Sequence, residues 1–505
     1  MVLRDSKEMR ELDAAAINEA GIPSLQLMDS AAGHLAREAA CVAGENYTAV
    51  IFCGSGNNGG DGIAAATYLV KKGFDVSVYL VGAREKMTPD AREMERRFSA
   101  LGGELRDFDS NLSGIESELS SVGVIIDAMF GIGLRSALSG SALAAAELIN
   151  KSGRQIIAAD IPSGVGADTG NIHGCAVKAT KTVTFTSAKP GHFAEPGCLY
   201  CGEIIVADIG IPPGLMKSAK TFSIDAADVL LPKRPRISHK GTFGRLLILG
   251  GSVGLTGAPS LAARAAVRSG AGLVYLGVPR DIYNITAVKN DEAMPFPLAS
   301  NDNGMLSTEA LPAILDRLGA MNAAVIGPGL GRSDDLKHIV RAIVRESSVP
   351  LILDADALNA IAEETSVLRD AEAPVFLTPH DGEFAAIAGV IGEGGRIGAA
   401  RDFAVKNSCE IVLKGHRTIC AFSDGTVYIT TAGNPGMAKG GSGDVLAGMI
   451  GALFCQLPMK SAVTFAVWLH GAAGDMCAQR LGEYSMTPGD IIQMLPEVIK
   501  NHTER

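Results

Sequence analysis

From residue 48 to 208, short β-branched or apolar runs alternate with stretches whose apolar positions recur every three or four residues. That alternation is the βαβ rhythm of a parallel sheet covered on both faces. It predicts strands over 49–53, 76–81, 122–128, 155–160, 182–186 and 204–208, with helices over 63–72, 89–101 and 141–151 between them. Two further helices, 6–17 and 24–43, precede the first strand. The rhythm breaks at Ile209-Gly-Ile-Pro-Pro-Gly-Leu-Met and again at Leu231-Pro-Lys-Arg-Pro-Arg-Ile-Ser-His-Lys-Gly, where proline and glycine end both periodicities. A domain boundary is expected in this segment, giving domains of residues 1–215 and 222–505. The second domain resumes the alternation, with strands expected over 245–250, 273–278, 323–326, 351–354, 375–377 and 411–414. An antiparallel hairpin, 418–422 and 427–431, turns at Ser423-Asp-Gly ahead of a helical C-terminus. The predicted fold class is α/β in both domains.

Composition narrows this picture. With 505 residues the chain exceeds one ordinary domain of roughly 150 residues and has room for two large domains or three smaller ones. It is 47% hydrophobic and 20% charged, with 60 glycines, the profile of a folded, glycine-punctuated α/β protein. Lys and Arg total 45 against 55 Asp and Glu, a formal charge of −10, so the balance does not draw the chain onto phosphate backbones or anionic membranes. The start, Met1-Val-Leu-Arg-Asp-Ser-Lys-Glu-Met-Arg, lacks the apolar segment of a secretory signal. The longest apolar run, 445–455, ends at Gln456, short of the roughly 18 to 20 residues a bilayer span needs. Neither nucleic acid nor membrane is expected as a partner. Nine cysteines, an odd number scattered over apolar positions such as Cys53, Cys420 and Cys455, point to a reducing, cytoplasmic compartment. The close pair Cys198-Leu-Tyr-Cys201 lacks the second pair or histidine that a zinc site requires.

Chemistry concentrates in glycine-rich loops after predicted strands. Gly54-Ser-Gly-Asn57-Asn58-Gly59-Gly60-Asp61-Gly62 satisfies GxGxxG between a strand and a helix, where bare backbone approaches a phosphate and helix N-terminal amides face it. A standard dinucleotide fold places an acid about 20 residues on, at the end of the second strand, to hold a ribose hydroxyl. Here that strand ends Tyr79-Leu-Val-Gly, without an acid, while the loop itself adds two amides and the Asp61 carboxylate. Two later strands end at the same sheet edge in Asp127-Ala-Met-Phe-Gly131-Ile132-Gly133-Leu134 and Asp160-Ile-Pro-Ser163-Gly, so the loops converge on one crevice. Asn58, Asp127 and Ser163 present oxygen ligands, which suit a hard cation such as K⁺ or Mg²⁺ better than zinc. The plainer alternative is that the aspartates cap helices and the glycines turn the chain.

In the second domain the densest signal is Ala432-Gly-Asn-Pro-Gly-Met-Ala-Lys439-Gly-Gly-Ser-Gly443-Asp444, followed at once by an apolar helix. It is not a Walker A loop, because GK[ST] is missing at the required spacing. Its amides are free to cradle an anion, and Asp444 in the first helical turn is placed to act as a base on a hydroxyl. A plain N-cap accounts for Asp444 but not for the glycines. Gly327-Pro-Gly-Leu-Gly331, Asp354-Ala-Asp-Ala-Leu-Asn359 and Thr378-Pro-His380-Asp-Gly-Glu383 follow other strands. Lys414-Gly415-His416-Arg417-Thr418 supplies the positive charge and hydroxyl that a nucleotide phosphate site requires. Taken singly, each of these also reads as a turn or cap, and His380 as a core histidine.

Together with Gly250-Gly-Ser, these motifs resemble the bifunctional NAD(P)H-hydrate repair enzymes over nearly the whole chain. The resemblance implies an NAD(P)HX epimerase domain, a Rossmann-like parallel sheet with helices on both faces, joined to an ADP-dependent (S)-NAD(P)HX dehydratase domain of ribokinase-like α/β fold. The substrates it implies are NADHX and NADPHX, formed when water adds to the nicotinamide ring. The first domain would interconvert the R and S hydrates; the second would dehydrate the S form, ADP phosphorylating the hydroxyl to make it a leaving group and yielding AMP and phosphate. Carried across by motif, Asn57, Asn58, Gly59, Gly60, Asp61, Gly131, Ile132, Gly133, Leu134, Arg135, Ser136, Ala137 and Asp160 bind hydrate in the epimerase, with Asp160 handling protons. Asn58, Asp127 and Ser163 hold K⁺. In the dehydratase, Ala258, Gly331, His380 and Asp444 meet the hydrate, and Lys414, Gly415, His416, Arg417, Thr418 and Gly443 meet ADP. Asp444 is the implied base, Mg²⁺ the implied metal there, and a homo-oligomer the implied assembly.

Three positions depart from the family pattern: Lys439 replaces a small hydroxyl residue, Asp381 a proline, and Leu255 a common aromatic. A lysine beside the anion loop predicts added phosphate affinity or an altered choice of nucleotide. Two rival readings of the sequence remain. One is a ribokinase-like small-molecule kinase, which shares the GGSGD-type loop but leaves the fused first domain unexplained. The other is a first domain that only binds a ligand or partner, against which Asn58, Asp61, Asp127 and Asp160 weigh.

Overall fold

The computed structural model describes residues 1–110 and 112–504. The chain divides into two compact units, Val2–Thr221 and the residues from Phe222 onward with Met1.

The first unit holds a 7-stranded parallel sheet: β1 (Thr48–Cys53), β2 (Asp75–Leu80), β3 (Leu105–Asp107), β4 (Val124–Ala128), β5 (Ile156–Ala159), β6 (Lys181–Phe185) and β7 (Glu203–Ala207), in the order β3-β2-β1-β4-β5-β6-β7. β1 shows why its sequence is one apolar run. Ala49, Ile51 and Cys53 enter the core beneath α1 (Ser6–Asn18), α2 (Ser24–Ala43), α3 (Asn57–Lys71) and α4 (Pro89–Ser99), while Val50 and Phe52 enter the core beneath α5 (Leu112–Leu119) and α6 (Gly140–Lys151). A strand buried on both faces has no solvent side for polar residues. The strand order reverses at β1, whose neighbours β2 and β4 lead away in opposite directions, so the loops after β1 and β4 flank a crevice at the carboxyl edge.

The helix expected from residue 63 begins at Asn57, so the whole Asn-Asn-Gly-Gly-Asp-Gly segment is helical. Glycine is a poor helix former, but backbone approach requires it here. A Cβ on Gly54 would lie 1.9 Å from the Met129 carbonyl oxygen, and one on Gly59 would lie 1.8 Å from that of Gly54.

The second unit is built on β8 (Thr221–Ile224), β9 (Arg245–Leu249), β10 (Leu273–Pro279), β11 (Met294–Leu298), β12 (Ala323–Ile326), β13 (Leu351–Leu353), β14 (Val375–Leu377), β15 (Glu410–Leu413), β16 (Ile419–Ala421) and β17 (Val427–Thr430). Their order is β8-β17-β16-β15-β14-β13-β12-β9-β10-β11. Pairing is parallel from β15 to β11 and antiparallel in the hairpin β16–β17 and where it joins β15. The apolar run 445–455 is the body of α14 (Ser442–Phe454), a helix hydrophobic all round because it is enclosed. A Cβ on its Gly448 would lie 2.1 Å from the carbonyl oxygen of Ala262 on α7 (Gly257–Arg268), and one on Gly451 would lie 2.7 Å from Val325 of β12. No helix among the described residues is long and apolar enough to cross a membrane.

Among these strands, β3, β11 and β8 depart from the sequence expectation. β3 is three residues long and carries Arg106 and Asp107 on exposed positions. β11 reads Met-Pro-Phe-Pro-Leu and survives two prolines because it is an edge strand with no further neighbour to bond. β8 lies in the segment assigned to the boundary.

Candidate active sites

A cavity of about 700 Å³ opens at the carboxyl edge of the first sheet. Its wall brings together Asn57, Asn58, Asp61, Gly131, Ile132, Gly133, Leu134 and Asp160, and adds Asp13 of α1 and Lys189. Gly59 and Gly60 are buried in α3, where their lack of side chains admits neighbouring atoms. Arg135, Ser136 and Ala137 do not line the cavity; they continue from Leu134 as an exposed loop.

The carboxylates of this cavity sit in opposite electrostatic environments. Asp160 directly follows β5 with φ of +64°, a left-handed conformation that aspartate tolerates. Its carboxylate accepts hydrogen bonds from the Lys189 ammonium and from Thr184 Oγ1 (3.0 Å). Lys189 Nζ also donates to Thr184 Oγ1 (2.7 Å), and Lys189 is 1% exposed. The Lys189 N–H donates to His192 Nδ1 (3.0 Å), so the other ring nitrogen, Nε2, carries the proton that it shares with the Asp160 carbonyl (2.9 Å). Burial and the Lys189 charge push His192 down to about 4 and keep it neutral. Burial alone would raise the Asp160 carboxyl, but Lys189, with His192 and Thr184, overrides it and holds the group below its ordinary value. Asp61 goes the other way: burial, then repulsion from Asp160 and Asp13, pushes it well above the carboxylate range. Burial likewise raises Asp13 to about 6, against the pull of Lys189. A carboxyl held low and a carboxyl pushed high on one cavity wall are placed to divide the roles of base and acid.

Behind this wall, Asp127 is fully buried. Its Oδ1 accepts from Ser163 Oγ (2.6 Å) and the Met129 N–H (3.2 Å), and its Oδ2 accepts from the Ser163 N–H (2.7 Å). Burial raises it to about 6, with the Ser163 hydrogen bonds pulling back. Among the described residues no cationic side chain lies within ion-pair distance of it, and the side-chain nitrogen of Asn58 is buried without a partner. The Asn58 amide oxygen faces Gly131, where a Cβ would lie 3.3 Å away. A buried carboxylate lacking a counter-charge, a hydroxyl and the Asn58 amide oxygen are the oxygen ligands a hard monocation takes, while the orphaned Asn58 nitrogen, a hydrogen-bond donor, calls for an acceptor instead.

The loops of the second unit also meet at one sheet edge. Asp354 Oδ1, just after β13, accepts from Lys414 Nζ (2.9 Å) and from Thr378 Oγ1 (2.7 Å). Lys414 lies 3.8 Å from Glu383 as well. Burial would lower the lysine, but Asp354 and Glu383 override it and keep it charged. Gly443, in the first turn of α14, faces the same lysine: a Cβ there would lie 3.1 Å from Lys414 Nζ. The neighbouring Asp444 is pushed up to about 7 by burial and by Asp354, with Lys414 opposing. Gly331 donates its N–H to Asp356 (2.8 Å), and a Cβ on Gly329 would lie 3.2 Å from the Ala258 methyl, which brings these loops alongside.

His380 is not a core histidine. Its ring is 60% exposed, and Nδ1 accepts the Glu383 N–H (3.2 Å) as the N-cap of α12 (Asp381–Ala388). His416 and Gly415 are exposed, Thr418 closes the turn by donating to the Gly415 carbonyl (3.1 Å), and Arg417 donates to the Thr431 carbonyl (2.6 Å). The Lys439 ammonium donates to the carbonyls of Tyr484 (2.7 Å) and Met486 (2.6 Å), which engage two of its three donors. Leu255 is half exposed beside Gly329. Cys198 and Cys201 are free thiols.

Sequence reasoning missed Asp13, Lys189 and Asp475. Asp13 breaks the apolar stripe Met9, Leu12, Ala16 of α1, a carboxylate at the margin of a buried helix face. Lys189 follows β6 in Ser187-Ala-Lys-Pro-Gly, a basic residue in an otherwise buried turn. Asp475, on α15 (Met459–Leu481), accepts from the Gly433 N–H (3.0 Å) and Asn434 Nδ2 (2.9 Å) and so clamps the glycine loop.

Residues 246–497 match the NAD(P)H-hydrate dehydratase family, and residues 24–191 match the family described as YjeF-related protein N-terminus. The bifunctional NAD(P)H-hydrate repair enzyme Nnr of Moorella thermoacetica is 40% identical over 522 aligned positions, spanning 100% of this chain and 98% of the relative. The chain belongs to the bifunctional NAD(P)H-hydrate repair enzyme family. Its counterpart in Thermofilum pendens is 36% identical over 499 positions, covering 98% of this chain and 95% of the relative. A ribokinase-like superfamily protein from Enterococcus faecalis V583, 27% identical with a TM-score of 0.50, covers 57% of this chain and 99% of its own, in keeping with the ribokinase-like fold expected of the second unit. This repair enzyme therefore combines epimerase and dehydratase domains, isomerase and lyase in one chain, and likeness across both halves disfavours the lone-kinase reading.

Proposed function

We propose that residues 1–215 epimerise R- and S-NAD(P)HX, and that residues 222–505 use ADP to dehydrate the S form to NADH or NADPH. The enzyme acts in the cytoplasm as a homo-oligomer, without a nucleic-acid or membrane partner. The observation that carries the reading is Asp444 in the first turn of α14, its carboxyl pushed up to about 7 beside the Asp354–Lys414 pair.

In the epimerase, the hydroxyl must leave one face of its carbon and return to the other. Asp61, pushed high, gives a proton to the hydroxyl oxygen as the carbon–oxygen bond breaks, the adjacent ring nitrogen's electron pair stabilising the carbon. Asp160, held low by Lys189, takes a proton from the water that bonds to the opposite face. Asn57, Asn58 and the loop from Gly131 to Leu134 hold the hydrate between them. Asn58, Asp127 and Ser163 would hold K⁺, whose positive charge would offset the buried carboxylate. Thermal melts in K⁺ against choline are expected to show a K⁺-dependent rise in Tm, which Asp127→Asn abolishes, because an ion that binds only the folded state stabilises it.

In the dehydratase, Asp444 takes the hydroxyl proton as that oxygen forms a bond to the terminal phosphorus of ADP and the bond to AMP breaks. Phosphate then leaves with the carbon–oxygen pair of electrons, and loss of the adjacent proton restores the dihydronicotinamide double bond. Lys414, Gly443 and the amides at the start of α14 face the phosphates, and Ala258, Gly331 and His380 face the hydrate. Mg²⁺ would enter with the nucleotide phosphates and offset their charge; among the described residues no group of three or more His, Cys, Asp or Glu forms a ready cage for it.

The test supplies (S)-NADHX and ADP and follows the reduced-nicotinamide absorbance with AMP release. One AMP per NADH is expected; a phosphorylated product accumulating without NADH would establish the kinase. Because Asp444 is protonated below about 7, kcat/KM for dehydration is expected to climb about tenfold per unit of pH below that value and to level off above it. A flat profile from pH 5 to 8 would remove Asp444 as the base.

A further inference from the structure

Asp381 stands where the family resemblance expects a proline, and in this chain its carboxylate has a partner. It opens α12 directly after His380 and binds one terminal nitrogen of Arg396, in the first turn of α13 (Gly395–Asn407). The other terminal nitrogen of Arg396 donates to the carbonyls of Lys414 (2.9 Å) and, less closely, Leu413 (3.4 Å). Gly415 lies flat on the guanidinium, since a Cβ there would fall 2.5 Å from that nitrogen. Arg396 is only 11% exposed, its Nε is buried without a partner, and among the described residues Asp381 is the carboxylate within ion-pair distance of it. A backbone bond from the Lys414 N–H to the Pro379 carbonyl (2.8 Å) runs between the same two loops.

We propose that Asp381 and Arg396 form a strap that positions the turn of residues 414–418 for the nucleotide and ties it to the hydrate-facing turn at His380. Both are positioning residues. The fork geometry of arginine matters, because one plane must reach a carboxylate on one side and two carbonyls on the other. Proline at position 381 offers no carboxylate, so the backbone bond alone would join the loops. The strap fixes carbonyls that precede the turn, so its loss loosens where the turn sits without removing any group that touches the reacting hydroxyl. This inference rests on the assignment of residues 414–418 to the nucleotide.

The experiment uses the full chain, whose epimerase activity serves as an internal control. Asp381→Asn and Arg396→Lys are each expected to raise the KM for ADP about fivefold, the scale of one partly exposed charged pair, with kcat reduced less than about twofold. The hydrate KM and epimerase rate should stay at parental values, and Asp381→Glu should restore the ADP KM. A merely structural role predicts a lower Tm and kcat with the ADP KM unmoved, and an ADP KM within about twofold of parent in both variants overturns the strap. Hydrogen–deuterium exchange on the parent separates the two layers of the argument. ADP should protect the amides of residues 414–418; if it does not, the nucleotide assignment itself falls, whereas protection with unchanged KM values defeats the strap alone.

Discussion

Replacing Asp444 with asparagine is expected to lower dehydratase kcat about a thousandfold, within the range lost when a positioned general base is removed, while epimerisation by the same chain continues at its parental rate. Asparagine keeps the shape and polarity of the side chain but cannot accept the hydroxyl proton. The variant should therefore retain its fold, and it should be more stable than the parent in one pH window. Asp444 has a folded value raised from 3.8 to about 7, so the folded state keeps a proton that the unfolded chain releases between those values. Its contribution is thus present in acid and lost as pH rises through about 7. Above that pH the parent carries a buried charge beside Asp354 that the variant lacks, and the variant's gain is on the order of 4 kcal/mol, about 1.4 kcal/mol for each unit between 3.8 and about 7. Melting curves should coincide near pH 3.5, below the unfolded value, and separate progressively from there to pH 8, with Asp444→Asn melting later. Dehydration assays and R-hydrate turnover on the same preparation check the kinetic half. A variant retaining a tenth of parental dehydration would show that another group accepts the proton.

Much of this architecture is legible in sequence because it depends on local periodicity. A strand such as Thr48–Cys53, buried on both faces, is necessarily an unbroken apolar run, and the glycines at 54 and 59 follow from backbone atoms passing where a Cβ would stand. The loops after β1, β4 and β5 were traced to one crevice by a rule of parallel sheets, without any side-chain geometry. What was hidden is what depends on distant partners. Lys189 meets Asp160 across 29 positions of chain, and Asp475 meets Gly433 across 42, separations for which no local pattern exists. The start of α3 was placed six residues late because helix propensity argues against glycine, and tertiary packing overrode it. Lys439 depends on distant partners in the same way as Lys189: two of its three donors go to carbonyls 45 and 47 positions away, which no local pattern announces.

Replacing Lys189 with methionine should be the most damaging single change in the first unit. Methionine fills a similar volume, so packing changes little, but Asp160 loses the charge that offsets its burial. Breaking a buried pair from one side costs about 3–5 kcal/mol, because the other charge is left without compensation. The sign of the pH dependence follows from the depressed value of Asp160 in the folded state. Such a pair stabilises above the ordinary carboxylate value of 3.8 and loses that effect as pH falls through the lower, folded value. The Tm gap between parent and Lys189→Met is therefore widest near neutrality and narrows toward pH 3. With Lys189 gone, burial is the dominant influence on Asp160, its carboxyl takes up a proton, and epimerisation is expected to fall at least a hundredfold, while ADP-dependent dehydration of the S hydrate is retained. The double variant Asp160→Asn with Lys189→Met separates structure from chemistry. Asparagine tolerates the left-handed backbone at position 160, and with neither charge buried the double variant should regain most of the lost Tm. Its epimerase should stay inactive. Recovery of both stability and turnover would mean that the pair only holds the fold, and that proton transfer belongs to Asp61 and Asp13.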